Sequence, residues 1–193
     1  MTSMKYPWQN VLYIDPQGKI IPYQLPEQDA NKRVNFVDLK QPSAELASIP
    51  EARLDVALSA ALGAINASHT GVFSVGCHRE ELHDASGHRI SGYIEFSVND
   101  RVLVCDAATY FSLFFQFQNR LVQSAFPHSV RFDWAIMPAV FSAVGVEGYS
   151  CSIKINSSIC STQKQCLQMW SNSLSMISTF LADISLDDDR AIY

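Results

Sequence analysis

A chain of 193 residues, 48% of them hydrophobic, has the size of a single domain and enough apolar side chains to build its own core. Its net charge is −5 and its longest basic run is the pair Lys32-Arg33, so there is nothing from which to build a phosphate-tracking surface, and nucleic acid is excluded as a partner. No run of about eighteen apolar residues is present to form a membrane-spanning helix, so no membrane partner is expected.

The segment from Met1 to Asn10 carries one lysine and no apolar stretch, which argues against a cleaved secretory signal. The five cysteines (Cys77, Cys105, Cys151, Cys160 and Cys166) are odd in number and show no C-x-x-C spacing. They read as thiols of a reducing compartment, and a cytoplasmic location is expected. Charged residues make up only 17% of the chain, against roughly a quarter in an average soluble domain. From Ala107 to Ala182 the charges are confined to Arg120, Arg131, Asp133, Glu147, Lys154 and Lys164. A surface so poor in charge is weakly protected against association, so a homodimer or another protein partner is expected; a well-buried half with a Ser/Asn/Gln surface is the alternative.

Six of the eight prolines fall within the first fifty residues, which marks residues 1–47 as an irregular extension packed on the main domain. Within it, Val11 to Ile14 and Lys19 to Ile21 flank Asp15-Pro16-Gln17-Gly18, a turn composition that predicts a β-hairpin. Asn35 to Leu39 is a further short strand candidate. Ser48-Ile49-Pro50-Glu51 has the form of a capping box, and Leu54, Leu58, Ala61, Leu62 and Ile65 then share one face of a helix ending by Ser68. Alternation predicts strands at Phe73 to Cys77 and Tyr93 to Val98, with Asn99-Asp100 turning the chain into a third strand over Arg101 to Cys105. Tyr110, Leu113, Phe114, Phe117 and Leu121 stand at helical spacing within a second helix from Ala107 to Ser124. Strands follow around Val130 to Ile136 and Tyr149 to Ile155. A long helix from about Thr162 to Ser185 carries Leu167, Trp170, Leu174, Ile177, Leu181 and Ile184 on one stripe. Gly92-Tyr93 and Gly148-Tyr149 each open a strand, a faint internal echo too common a pair to establish duplication. The expected fold is α+β: a main domain over residues 48–186 with an antiparallel sheet in the order α-β-β-β-α-β-β-α, and a mobile acidic tail over 187–193.

In this element order, its acidity and its long last helix, the chain resembles the class I type III secretion chaperones over roughly three quarters of its length. That resemblance implies a homodimer with the second helix and a neighbouring strand at its seam. It also implies shallow apolar grooves that hold an extended client segment by strand addition and side-chain pockets. No motif carries a family residue onto a numbered position.

The residues that could carry chemistry are few. His78, His83 and His88 lie in one connection with Cys77 and Asp84, and imidazole and thiolate suit transition metals. Their five-residue spacing matches neither an i, i+4 helical pair nor a finger, so a solvated polar loop weighs more. Cys77-His78 and Cys105-Asp106 are sequence neighbours whose side chains would point to opposite faces of a strand, and Glu95 reads as a solvated carboxylate on a polar strand face. No G-x-S-x-G, G-x-G-x-x-G or Walker-type loop occurs, so no catalytic, cofactor-binding or metal-ligating residue is assigned and no cofactor is expected. The expected function is a non-catalytic cytosolic protein-binding module, a dimeric secretion chaperone or adaptor taking an extended client segment. The alternatives are an acidic inhibitor or immunity protein with a basic partner, for which Asp187-Asp188-Asp189 would serve, and an enzyme or metal protein using the histidine connection.

Overall fold

The computed structural model describes residues 6–22, 36–41, 44–185 and 188–193. Its strands are β1 (Gln9–Ile14), β2 (Lys19–Ile21), β3 (Val72–Asp84), β4 (Gly87–Val98), β5 (Val130–Phe141) and β6 (Val146–Ser157). Its helices are α1 (Pro50–Leu54), α2 (Val56–Ile65), α3 (Ala107–Gln123) and α4 (Gln163–Ala182), none of them long and apolar enough to cross a membrane. The fold is α+β. All six strands join one sheet in the order β1-β5-β6-β4-β3, with β2 also on β5. The sheet is mixed rather than antiparallel throughout, because β1 and β2 both run parallel to β5.

The predicted N-terminal hairpin is therefore corrected: β1 and β2 lie in line along the β5 edge and do not pair with each other. Pro138 supplies the physical reason for the gap between them. Asp15 N–H donates to Ile136 O at 2.8 Å, and the next donor due from β5 on that side is residue 138, which as proline has no N–H. The edge chain steps away over Asp15–Gly18 and resumes pairing at Lys19, opposite Ala139. Phe36 to Leu39 forms no strand, and Asn35 lies outside the described residues.

The first predicted helix is divided. Asp55 is extended (φ −133°, ψ 104°) and its carboxylate accepts from Leu58 N at 3.0 Å, so it ends α1 and caps α2. Ser48 closes a short 3₁₀ turn by donating to Glu45 O and is not the cap of α1, whose start is set by Pro50. Asp106 caps α3 and Thr162 caps α4. The last helix stops at Ala182 rather than Ser185, because Ile184 and Ser185 bond and bridge to Gly71 and Thr70 beside β3.

The third strand of the predicted meander is also corrected. Asp100 Oδ1 accepts from Val102 N and Leu103 N, which folds Leu103–Cys105 into a 3₁₀ turn. Asn99 is buried, and its side chain binds both N–H groups of Ile192 and Tyr193 and the Tyr193 carbonyl. Ile192 is buried in turn, so the chain end expected to be mobile packs at residues 190–193, where Arg190 also pairs with Asp100.

Helices α2, α3 and α4 cover one face of the sheet over a core that includes Phe96, Phe117, Phe132, Trp134, Ile153 and Trp170. On the opposite face a smaller core gathers Ile21, Phe73, Val104, Phe141 and Ile192 at one end, and no helix among the described residues covers the rest of this open face.

Candidate functional site

The histidine connection is not a loop. β3 and β4 continue through it as a long hairpin turned at Asp84 to Gly87, with Asp84 Oδ1 accepting from Ser86 N and Gly87 at φ +133°. His83 and His88 are cross-strand partners with stacked rings, 4.2 Å between centroids. His78 pairs instead with Tyr93, on the opposite face of the sheet by strand alternation. The three predicted histidines therefore do not converge, and no trio of His, Cys, Asp or Glu among the described residues is placed to hold a metal ion.

The open face carries a polar layer. Glu95, expected to be solvated, is only 4% exposed: Lys19 Nζ donates to its Oε2 at 2.6 Å and Ser150 Oγ to its Oε1 at 2.8 Å. Lys19 crosses β5 and β6 to make this pair. Further along, Tyr13, Arg131, Asp133, Asn156 and Ser91 form one hydrogen-bonded chain over β1, β5, β6 and β4. Every carboxylate in this layer is matched by a cation or donors. Among the described residues of this layer, no nucleophile stands beside an unmatched base. Burial, with Glu51 nearby, pushes the Cys77 thiol up to about 12, the reverse of what a reactive thiolate needs.

What remains is the two sheet edges. The outer strand β3 carries His78, Arg79, Glu80, Glu81, His83 and Asp84, a density of charge that discourages pairing with another strand. The other edge differs: β1 has no charged residue from Gln9 to Ile14. Because Asp15 turns its amide toward β5, alternation directs the Tyr13 and Val11 amides inward and those of Ile14, Leu12 and Asn10 outward, where none has a hydrogen-bond partner among the described residues. Apolar side chains stand uncovered along this side: Ile14 is 68% exposed, Ile20 60% and Val140 39%. The flank of α3 away from α4 adds Phe115, 61% exposed, with Phe111 and Val122 at helical spacing beside it.

An open cavity of about 400 Å³ adjoins this edge, lined by Ile20, Pro138, Val140, Glu147, Tyr149 and Cys105, among others. Between α3 and α4 lie two hollows of about 420 and 600 Å³ that share Arg120, the first lined by Phe126, Pro127 and Met176 beside Asn172 and hydroxyls, the second by Leu113, Phe180 and Ile184 beside Gln116, Asn119 and Gln123. Sequence reasoning missed the edge because hairpin composition at Asp15–Gly18 hid its true partner, β5; Pro138 inside an alternating strand was the available signal. Comparison with known proteins returns no match: no family model, no curated protein and no solved structure is detectably similar to the chain.

Proposed function

We propose that the chain is a non-catalytic protein-binding module that takes an extended segment of a partner as an added strand on the β1–β2 edge. The observation that carries this reading is the contrast between the two edges: β3 is guarded by charge, whereas β1 presents outward amides, no charge and an uncovered Ile14, and β2 continues it with an uncovered Ile20. On the helix-covered face an added strand would rest its side chains against Ile14 and Ile20. On the open face it would meet Tyr13 and its polar neighbours. The preferred segment is therefore apolar at alternate positions and neutral between them. The N-terminal extension already occupies β5 in this manner, strand on strand, within the same molecule.

Ile14→Pro tests the proposal. It removes an outward donor at an exposed strand end and no bond to β5, so the variant keeps its fold by circular dichroism. Affinity for a peptide of alternating valine and threonine is expected to fall about tenfold or more, from one lost backbone bond and the clash of the ring; unchanged affinity in a folded variant contradicts the proposal. The homodimer expected from composition is placed by the same reading on the α3 flank around Phe115.

A further inference from the structure

The cavity beside β2 lies on the helix-covered face, since Ile20, Val140 and Glu147 occupy paired positions across β2, β5 and β6, and Pro138 pairs with Tyr149 two residues along. Its floor is apolar, and its far end holds Glu147, which is exposed and joins no ion pair among the described residues. Lys19 borders the cavity but sends its ammonium to Glu95 on the other face. The cavity therefore offers an aliphatic and aromatic trough ending in one free carboxylate.

The same molecule shows what spans such a trough. From β2, Lys19 meets Glu95 on β4 with a 2.6 Å contact, so the two side chains together bridge three strand spacings, a lateral distance of about 14 Å. A segment added outside β2 stands three strand spacings from β6, where Glu147 sits. We propose that the cavity takes the side chain of an arginine from the added partner segment, its methylenes over Ile20 and Val140 and its guanidinium on the Glu147 carboxylate beside the Tyr149 ring. Arginine fits better than lysine because its planar head pairs with a carboxylate through two parallel bonds and lies against an aromatic ring. This inference rests on the strand-addition reading and adds to it the residue that fixes the register of the segment.

Three eight-residue amidated peptides of alternating valine and threonine test it, with arginine, leucine or glutamate replacing one central valine. Binding is followed by fluorescence anisotropy. Occupancy of the cavity is followed by the rate of maleimide alkylation of Cys105, which is exposed at the cavity wall. The arginine peptide is expected to bind about three- to fivefold more tightly than the leucine peptide and at least tenfold more tightly than the glutamate peptide, and to slow Cys105 alkylation. Glu147→Lys, a change at an exposed position, should reverse the order so that the glutamate peptide binds best. If the three peptides bind equally, leave Cys105 unprotected and ignore Glu147→Lys while remaining sensitive to Ile14→Pro, the arginine site is refuted and strand addition stands. If none of the peptides binds, both fall. If free arginine amide protects Cys105 as well as the peptide does, the cavity is a small-molecule site and the proposal is overturned.

Discussion

Lys19 and Glu95 show how one contact ties the N-terminal segment to the middle of the sheet. Glu95 is buried with two partners, and removing the cation leaves a carboxylate sealed under the open face. Lys19→Met is expected to lower stability by about 2–3 kcal/mol in urea denaturation. This is less than the roughly 3–5 kcal/mol of a fully buried pair, because the lysine retains contact with water. Lys19→Met combined with Glu95→Gln should recover much of the loss; a double variant no better than the single one would mean that the pair is not what anchors β2.

The cysteines make a second case at this scale. Burial raises the thiols of Cys151, and of Cys160 to about 11, as it does that of Cys77, while Cys105 is exposed. Brief maleimide treatment of the folded protein at neutral pH should therefore label Cys105 first by peptide mapping, and early labelling of Cys151 would contradict this packing. The sign of the pH effect follows. Between about 9, the ordinary value, and about 12, the unfolded chain sheds the Cys77 proton while the folded chain keeps it, so stability falls as pH rises through that window. Cys77→Ala should reduce that slope and leave the part contributed by Cys151 and Cys160.

At the scale of elements, α4 is held on the sheet by a cluster around Trp170. Its indole N–H donates to Asp55 Oδ2 at 2.7 Å, Arg79 approaches the same oxygen at 2.9 Å, and the ring lies over Gly92 of β4. A Cβ at Gly92 would come within 2.6 Å of Trp170 Cη2 and also press on the β3 backbone, so Gly92→Ala is expected to cost about 1–3 kcal/mol, read as a lower melting temperature. An unchanged melting temperature would mean that both the ring and the β3 backbone at His78 can move aside. Both α3 and α4 were legible because one face of each is buried and their periodicity is unbroken. The outer halves of β3 and β4, from His78 to Arg89, were not, because no apolar face is buried there and alternation disappears. Asn99-Asp100 has hairpin composition but serves as a dock for Ile192 and Tyr193, a long-range contact that no local pattern contains. The candidate edge was illegible for a similar reason: the strand that β1 and β2 adopt as a neighbour, β5, lies more than a hundred residues away in the chain.

At the scale of the whole molecule, the helices protect one face of the sheet, a polar layer and a small second core occupy the other, and exposed apolar side chains line the β1 side at Ile14, Ile20 and Val140, with a separate exposed pair, Leu54 and Val56, at the junction of α1 and α2. The acidic groups of the described residues include Asp55, Glu81, Glu95, Asp100, Asp133 and Asp183 in ion pairs, which leaves less free negative charge than the composition implies. Dimers are expected in light scattering at micromolar concentration, and Phe115→Lys should shift them to monomers; a wild-type protein that is strictly monomeric contradicts the seam at α3. Backbone amide exchange tests the central claim most directly, measured residue by residue with and without the valine–threonine peptide. Strand addition predicts slowed exchange at Asn10, Leu12 and Ile14, whose amides point outward. Slowed exchange along β3 or in the α3–α4 groove, with these three unchanged, would contradict it.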